Sequence, residues 1–158
     1  MTSTLVQSMS TLNLTPKHDT VFEPTRVLMS LPSPPPRPPG LRLFYGFYVK
    51  EEWLLQYAEQ HMAGRDGRQY DKGLKMDLAR RMLVTVTGVK SLTFASGVPD
   101  EAAIAHGTLR QGRGCQFVPL LAVCSSRRGS YFSRPTQSEY DHLEKIIGRP
   151  AKWWVEFD

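Results

Sequence analysis

The sequence predicts an α+β fold, a ferredoxin-like βαββαβ sandwich with an extra helix after the first, preceded by a disordered proline-rich tail. Three observations predict it. Residues 41–49 (LRLFYGFYV) alternate, placing Leu41, Leu43, Tyr45, Phe47 and Val49 on one face of a strand. Residues 51–62 then change to the three-to-four spacing of a helical stripe, through Trp53, Leu54, Tyr57, Ala58 and Met62. Near the other end, Thr136 with Glu139 makes a capping box, Tyr140, Leu143 and Ile147 share a helix face, and Gly148 and Pro150 stop it before the strand composition of KWWVEF.

The elements between follow in order. Gly64 suits a left-handed cap for the first helix, and residues 65–70 are polar and read as a loop. Asp71 caps a second helix whose apolar face is Leu74, Leu78, Met82 and Val86 and which Gly88 ends, although VTVTGV has strand composition that can fray its last turn. Residues 91–96 are β-prone. Pro99 suits the first turn of a brief helix reaching His106 and Gly107. A basic, glycine-bearing turn, residues 110–114, then leads into CQFVPLLAVCSS, apolar on both faces and therefore a central strand. Pro119 has no N–H for the ladder, so a bulge or one-sided break is expected there. Two helices cover one sheet face. The other face would carry Phe44, Tyr48, one of Trp153 and Trp154, and half of the third strand, an apolar patch too large to be left to solvent.

Residues 1–40 hold eight of the twelve prolines and no long period, so the chain divides into a disordered tail, 1–40, and one α+β domain, 41–158. The tail ends in LPSPPPRPPG, which favours polyproline II; Pro32, Pro35 and Arg37 have the spacing an SH3-type groove accepts, while a stiff linker is the commoner role of such a run. The net charge is +5 over 158 residues. The tail carries three cations and two acids, leaving seventeen cations against thirteen acids in the domain, a balance solubility alone explains. Cys115 and Cys124 lie nine apart in one expected strand, on opposite faces, so they do not bridge each other and read as reduced thiols. No apolar run is long enough to span a bilayer and the N-terminus lacks the features of a secretory signal, so the expected compartment is the cytoplasm. The first eighteen residues are rich in Ser and Thr and free of acids, as organelle transit peptides are, but carry Lys17 as their sole cation.

The segment IIGRPAKWWVEFD, a capped helix running into Gly, Pro and paired tryptophans, resembles the end of short uncharacterised fungal proteins. That resemblance implies a lineage and no chemistry.

The residues support three functional readings. The first is a non-enzymatic interaction domain whose aromatic sheet face is covered by a second copy or a protein partner. The second is a small-molecule binder or enzyme with a pocket at that face, lined by Tyr48, His61, His106 and Trp153. The third is RNA binding through Phe44, Tyr48 and Phe117. Residues 113–120 match the cation, glycine, central aromatic and valine of an RNA recognition motif, but Cys115 and Leu120 stand where it needs stacking rings. Arg110, Arg113, Arg127 and Arg128 form a candidate anion site, scattered solvated arginines being the ordinary alternative. The four histidines lack metal-ligand spacing, no nucleophile elbow or phosphate-cradling glycine loop is present, and no catalytic residue, metal or cofactor is assigned.

Overall fold

The computed structural model describes residues 26–37, 39–62, 70–98 and 118–156. In order these form β1 (Leu43–Tyr48), α1 (Glu51–Met62), α2 (Lys72–Thr87), β2 (Thr93–Val98), β3 (Val118–Ser125), α3 (Arg128–Phe132), α4 (Gln137–Ile147) and β4 (Lys152–Glu156). The mixed α+β character is as expected. The brief helix expected over 99–106, the cap at Gly64, the basic turn at 110–114 and Cys115 lie outside the described residues.

Local signals account for the helix ends. Asp71 accepts the Leu74 N–H at 2.8 Å, and Gly88, at φ 81°, closes α2 with its N–H on the Val84 carbonyl, so the β-branched run at its end stays helical. Thr136 and Glu139 complete a capping box at the start of α4, and Gly148 closes it in the left-handed region. α3 is too short to show a period, and the sequence gives no cap for it.

The strands are antiparallel in the order β1-β3-β2-β4, and β4 returns to β1, so the sheet is a closed barrel. This corrects the expectation of an open two-layer sandwich. Closure is short, Gly97 opposite Glu156 and Val98 opposite Val155. Its physical basis is the absence of side chains at two positions. A Cβ on Gly46 would run into the Leu121 carbonyl oxygen and lie 2.7 Å from the Ala122 Cα; one on Gly97 would meet Leu120 Cδ1 at 2.5 Å and Trp154 Cβ at 3.0 Å. The register also shifts between Tyr45 and Gly46, so Val123 is the extra residue on β3. A bulge of this kind sharpens the bend that a small barrel needs. The bulge falls there, while at Pro119, exposed and in register with Ser96, the ladder is one-sided as expected: pairing with β1 stops at Leu120 and pairing with β2 continues to Val118.

Closure creates two cores. Outside the barrel, Leu43, Tyr45, Phe47, Leu121, Val123, Trp153 and Val155 pack beneath the helices, with Tyr140 stacked on Phe47 at 5.8 Å and tilted on Tyr45 at 6.2 Å. Phe44, Leu120, Ala122 and Trp154 are also buried but stand apart from that cluster, and with Gly46 and Gly97 they fill the barrel. The aromatic face expected to await a partner is thus the barrel's own interior.

Residues 26–37 do not behave as a separate tail. Leu28 bridges to Thr136, Met29 is fully buried and donates its N–H to Pro135, and Arg134 Nε donates to the Met29 carbonyl at 2.8 Å. The Trp153 indole donates to the Pro32 carbonyl at 2.9 Å. Arg37 Nη1 reaches Ser126 Oγ at 2.8 Å and the Leu41 carbonyl at 3.0 Å. The segment lies as a strap across the domain. The prolines make this cheap, because their φ is already fixed and little backbone freedom is lost on docking.

Candidate functional site at one mouth of the barrel

The strap enters β1, β3 ends and β4 ends at the same mouth of the barrel, where the backbone of Arg42 accepts the Glu156 N–H. Two adjoining depressions open there. One is an apolar groove of about 580 Å³ lined by the strap (Pro34, Pro35, Arg37), the β1 and β4 residues Leu43 and Trp153, Ser126, and Arg128, Tyr131 and Phe132 from α3. The other, about 250 Å³, is polar and lined by Arg37, Gly40, Leu41, Arg42, Arg127 and Glu156. Arg37 belongs to both.

Each wall has a local cause. Ser130 Oγ accepts the Ser125 N–H at 2.8 Å, turning the chain out of β3 into α3. Arg134 then donates to the Tyr131 carbonyl and lies over the Tyr131 ring at 4.6 Å, fixing that ring beside Phe132 in an edge arrangement. Phe132 is 62 % exposed, an unusual position for phenylalanine. At the floor, Trp153 spends its indole N–H on Pro32 and is buried against Tyr45, so it contributes only a small part of its ring to the lining. The Ser126 hydroxyl receives the Leu43 N–H at 3.1 Å as well as Arg37. Its two lone pairs are thereby occupied, which leaves it poorly placed as a nucleophile.

The electrostatics are one-sided. Arg37, Arg127 and Arg128 are exposed and make no ion pair among the described residues, whereas Arg42 holds Glu156 at 2.9 Å. Arg42 also lies 5.7 Å over the Phe44 ring, and Lys152 lies 4.1 Å over Trp154, so a cation sits against a ring of the barrel interior on each of β1 and β4.

Of the aromatic and histidine candidates from sequence that are described, Trp153 lines the groove and Phe44, Tyr48 and His61 do not. Phe44 is 9 % exposed, inside the barrel and away from the groove lining. Tyr48 is at the opposite end of β1, its carbonyl taken by Arg149 and its ring 5.7 Å from that guanidinium. His61 ends α1, its Nδ1 donating to the Tyr57 carbonyl and its ring 4.2 Å from Tyr57, within a ladder that continues to Trp53. His106, Phe117, Arg110 and Arg113 lie outside the described residues. Arg127 and Arg128 come together with Arg37, one at each depression. Pro32 and Arg37, read as an SH3-type motif with Pro35, are engaged within their own chain.

Sequence reasoning missed Tyr131, Phe132, Ser126 and Arg42. The available signal was RRGSYFSR, two rings flanked by cations, a composition that suits a mixed apolar and anionic ligand but has no periodicity to flag it. Among the described residues no group of three or more His, Cys, Asp or Glu is placed to hold a metal, and no helix is long and apolar enough to cross a membrane. No family model, curated protein or solved structure matches the chain.

Proposed function

We propose that the domain binds a small molecule with a planar apolar body and a negatively charged substituent, in the groove between the strap and α3. The observation that carries this reading is the lining itself. Among the described residues, apolar walls from Pro34, Pro35, Leu43, Tyr131, Phe132 and Trp153 carry Arg37 and Arg128 as their charged side chains and no carboxylate. A volume of this order with few polar groups is typical of ligand pockets, at roughly 300–1,000 Å³. Binding is the reading the described lining supports, since Ser126, its hydroxyl-bearing serine, has both lone pairs engaged.

The test uses 1-anilinonaphthalene-8-sulfonate, an aromatic body with one anion, and its uncharged parent N-phenyl-1-naphthylamine. The full chain should enhance the sulfonate's fluorescence saturably, and bind it several-fold more tightly than the parent. Phe132→Ala, at an exposed position, should weaken both about tenfold, or ~1.4 kcal/mol, with an unchanged thermal melt. Equal binding by the wild type and Phe132→Ala would refute the groove as the site.

A further inference from the structure

We infer that the polar pocket beside the groove is a phosphate subsite, so that the bound molecule is a phosphomonoester on an aromatic or otherwise apolar body. This rests on the groove reading for the body and adds the chemistry of the head. Among the described residues, Arg37, Arg42 and Arg127 line the pocket with one carboxylate, Glu156, a surplus of two positive charges that suits a dianion better than a carboxylate or sulfonate.

The donors are available in the right form. Arg37 uses Nη1 alone for Ser126 and Leu41, which leaves Nη2 and Nε, and a guanidinium fork matches two oxygens of a tetrahedral anion at once. Arg127 is exposed with no ion pair among the described residues, and its side chain takes no part in capping α3. Arg42 donates to Glu156 Oε1 at 2.9 Å, so the pocket's carboxylate is paired with one of its three cations. Gly40 and Leu41 complete the described lining, and at Gly40, φ 88°, an added Cβ would meet nothing within 4 Å. An anion can therefore approach bare backbone on that side. Arg37, shared by both depressions, joins the subsite to the groove, so head and body belong to one molecule.

The experiment is calorimetric titration of the full chain with 1-naphthyl phosphate and with 1-naphthol, at pH about 7.5, where a phosphomonoester is dianionic. The phosphate should bind at least about tenfold more tightly than the naphthol, and this advantage should shrink as salt is raised. Arg127→Gln should remove most of the advantage while leaving naphthol binding and the melt unchanged; Lys90→Gln, an exposed cation elsewhere, should leave both ligands unaffected. Equal affinity for the two ligands, or an advantage that survives Arg127→Gln, overturns the subsite and leaves the groove standing. Failure of both ligands to bind overturns the groove reading as well.

Discussion

Trp154 donates its indole N–H to the carbonyl of Gly46 at 3.0 Å, inside the barrel. Gly46 itself has no room for a side chain, because a Cβ there would run into the Leu121 carbonyl oxygen of β3. A four-stranded barrel is narrow, and this one accommodates a tryptophan and a phenylalanine only by omitting side chains elsewhere on the inner surface. The same omission lets β2 approach β4, since Gly97 faces the Leu120 side chain and the Trp154 Cβ. Closure, and with it the mouth where the two depressions lie, depends on two glycines.

Substituting those glycines should separate the two kinds of contact they avoid. At Gly97 the nearest obstacle is the end of a leucine side chain, which can rotate, so Gly97→Ala should lower stability by about 1–3 kcal/mol. At Gly46 the obstacles are the Leu121 and Ala122 backbone, which cannot move without breaking the β1–β3 ladder. Gly46→Ala should cost more than Gly97→Ala. Urea midpoints at constant m-value measure both; equal losses would contradict the assignment of backbone and side-chain obstacles.

Met29 provides a direct test of the strap. A residue of a detached tail contributes nothing to the global stability of the domain. Met29 is fully buried, so Met29→Ala should cost about 2–5 kcal/mol in urea unfolding. Trp153→Phe removes the bond to the Pro32 carbonyl and keeps most of the ring, so a smaller loss of about 1 kcal/mol is expected. In that variant the Met29 amide, bonded to Pro135, should exchange faster while amides of β3 change little. A Met29→Ala variant as stable as the wild type would return residues 26–37 to the status of a linker.

What the sequence made legible is what is encoded locally. Asp71, Gly88, Thr136, Glu139 and Gly148 each act on atoms within four residues, and the alternation of β1 names its own buried face. Closure was hidden because Gly46 and Gly97 matter through residues more than twenty positions away, so an isolated strand glycine reads as a weakness of the strand. The strap was hidden for the same reason: Trp153 and Pro32 are separated by 121 positions, and a proline run has no period to show which side is buried. Of the site, Arg127, Arg128, Trp153, Pro35 and Arg37 were visible as residue types, yet they were assigned to three different readings. Only the fold brings them to one mouth.

Cys124 should be chemically silent in the native protein. Burial pushes its thiol up to about 11, against the opposing charge of Arg134, so little thiolate exists at neutral pH and the 3 % exposure blocks reagents. In a Cys115→Ser background, a thiol reagent at pH about 8 should modify Cys124 only at the rate of unfolding, and within seconds in strong denaturant. Rapid native labelling would show that β3 opens readily at that end.

Glu139 should make the strap junction sensitive to acid. Burial opposes its ionised form, but the backbone N–H and hydroxyl of Thr136 and the guanidinium of Arg26 together hold its carboxyl below the usual value, which is about 4.3. A carboxyl with a depressed native pKa contributes stability that is fully present above the unfolded value and is lost as pH falls through the native one. The loss should therefore occur below about pH 4.5, where the unfolded chain binds more protons than the native. Glu139→Gln keeps an oxygen for the Thr136 N–H and loses only a partly exposed ion pair, so at neutral pH it should differ from wild type by no more than about 1 kcal/mol. The acid slope should be reduced without vanishing, because Asp77, held below its usual range chiefly by its hydrogen bond with Arg80, remains. Urea midpoints across the acid range decide the matter: parallel curves for wild type and Glu139→Gln would mean that the capping box does not carry the linkage.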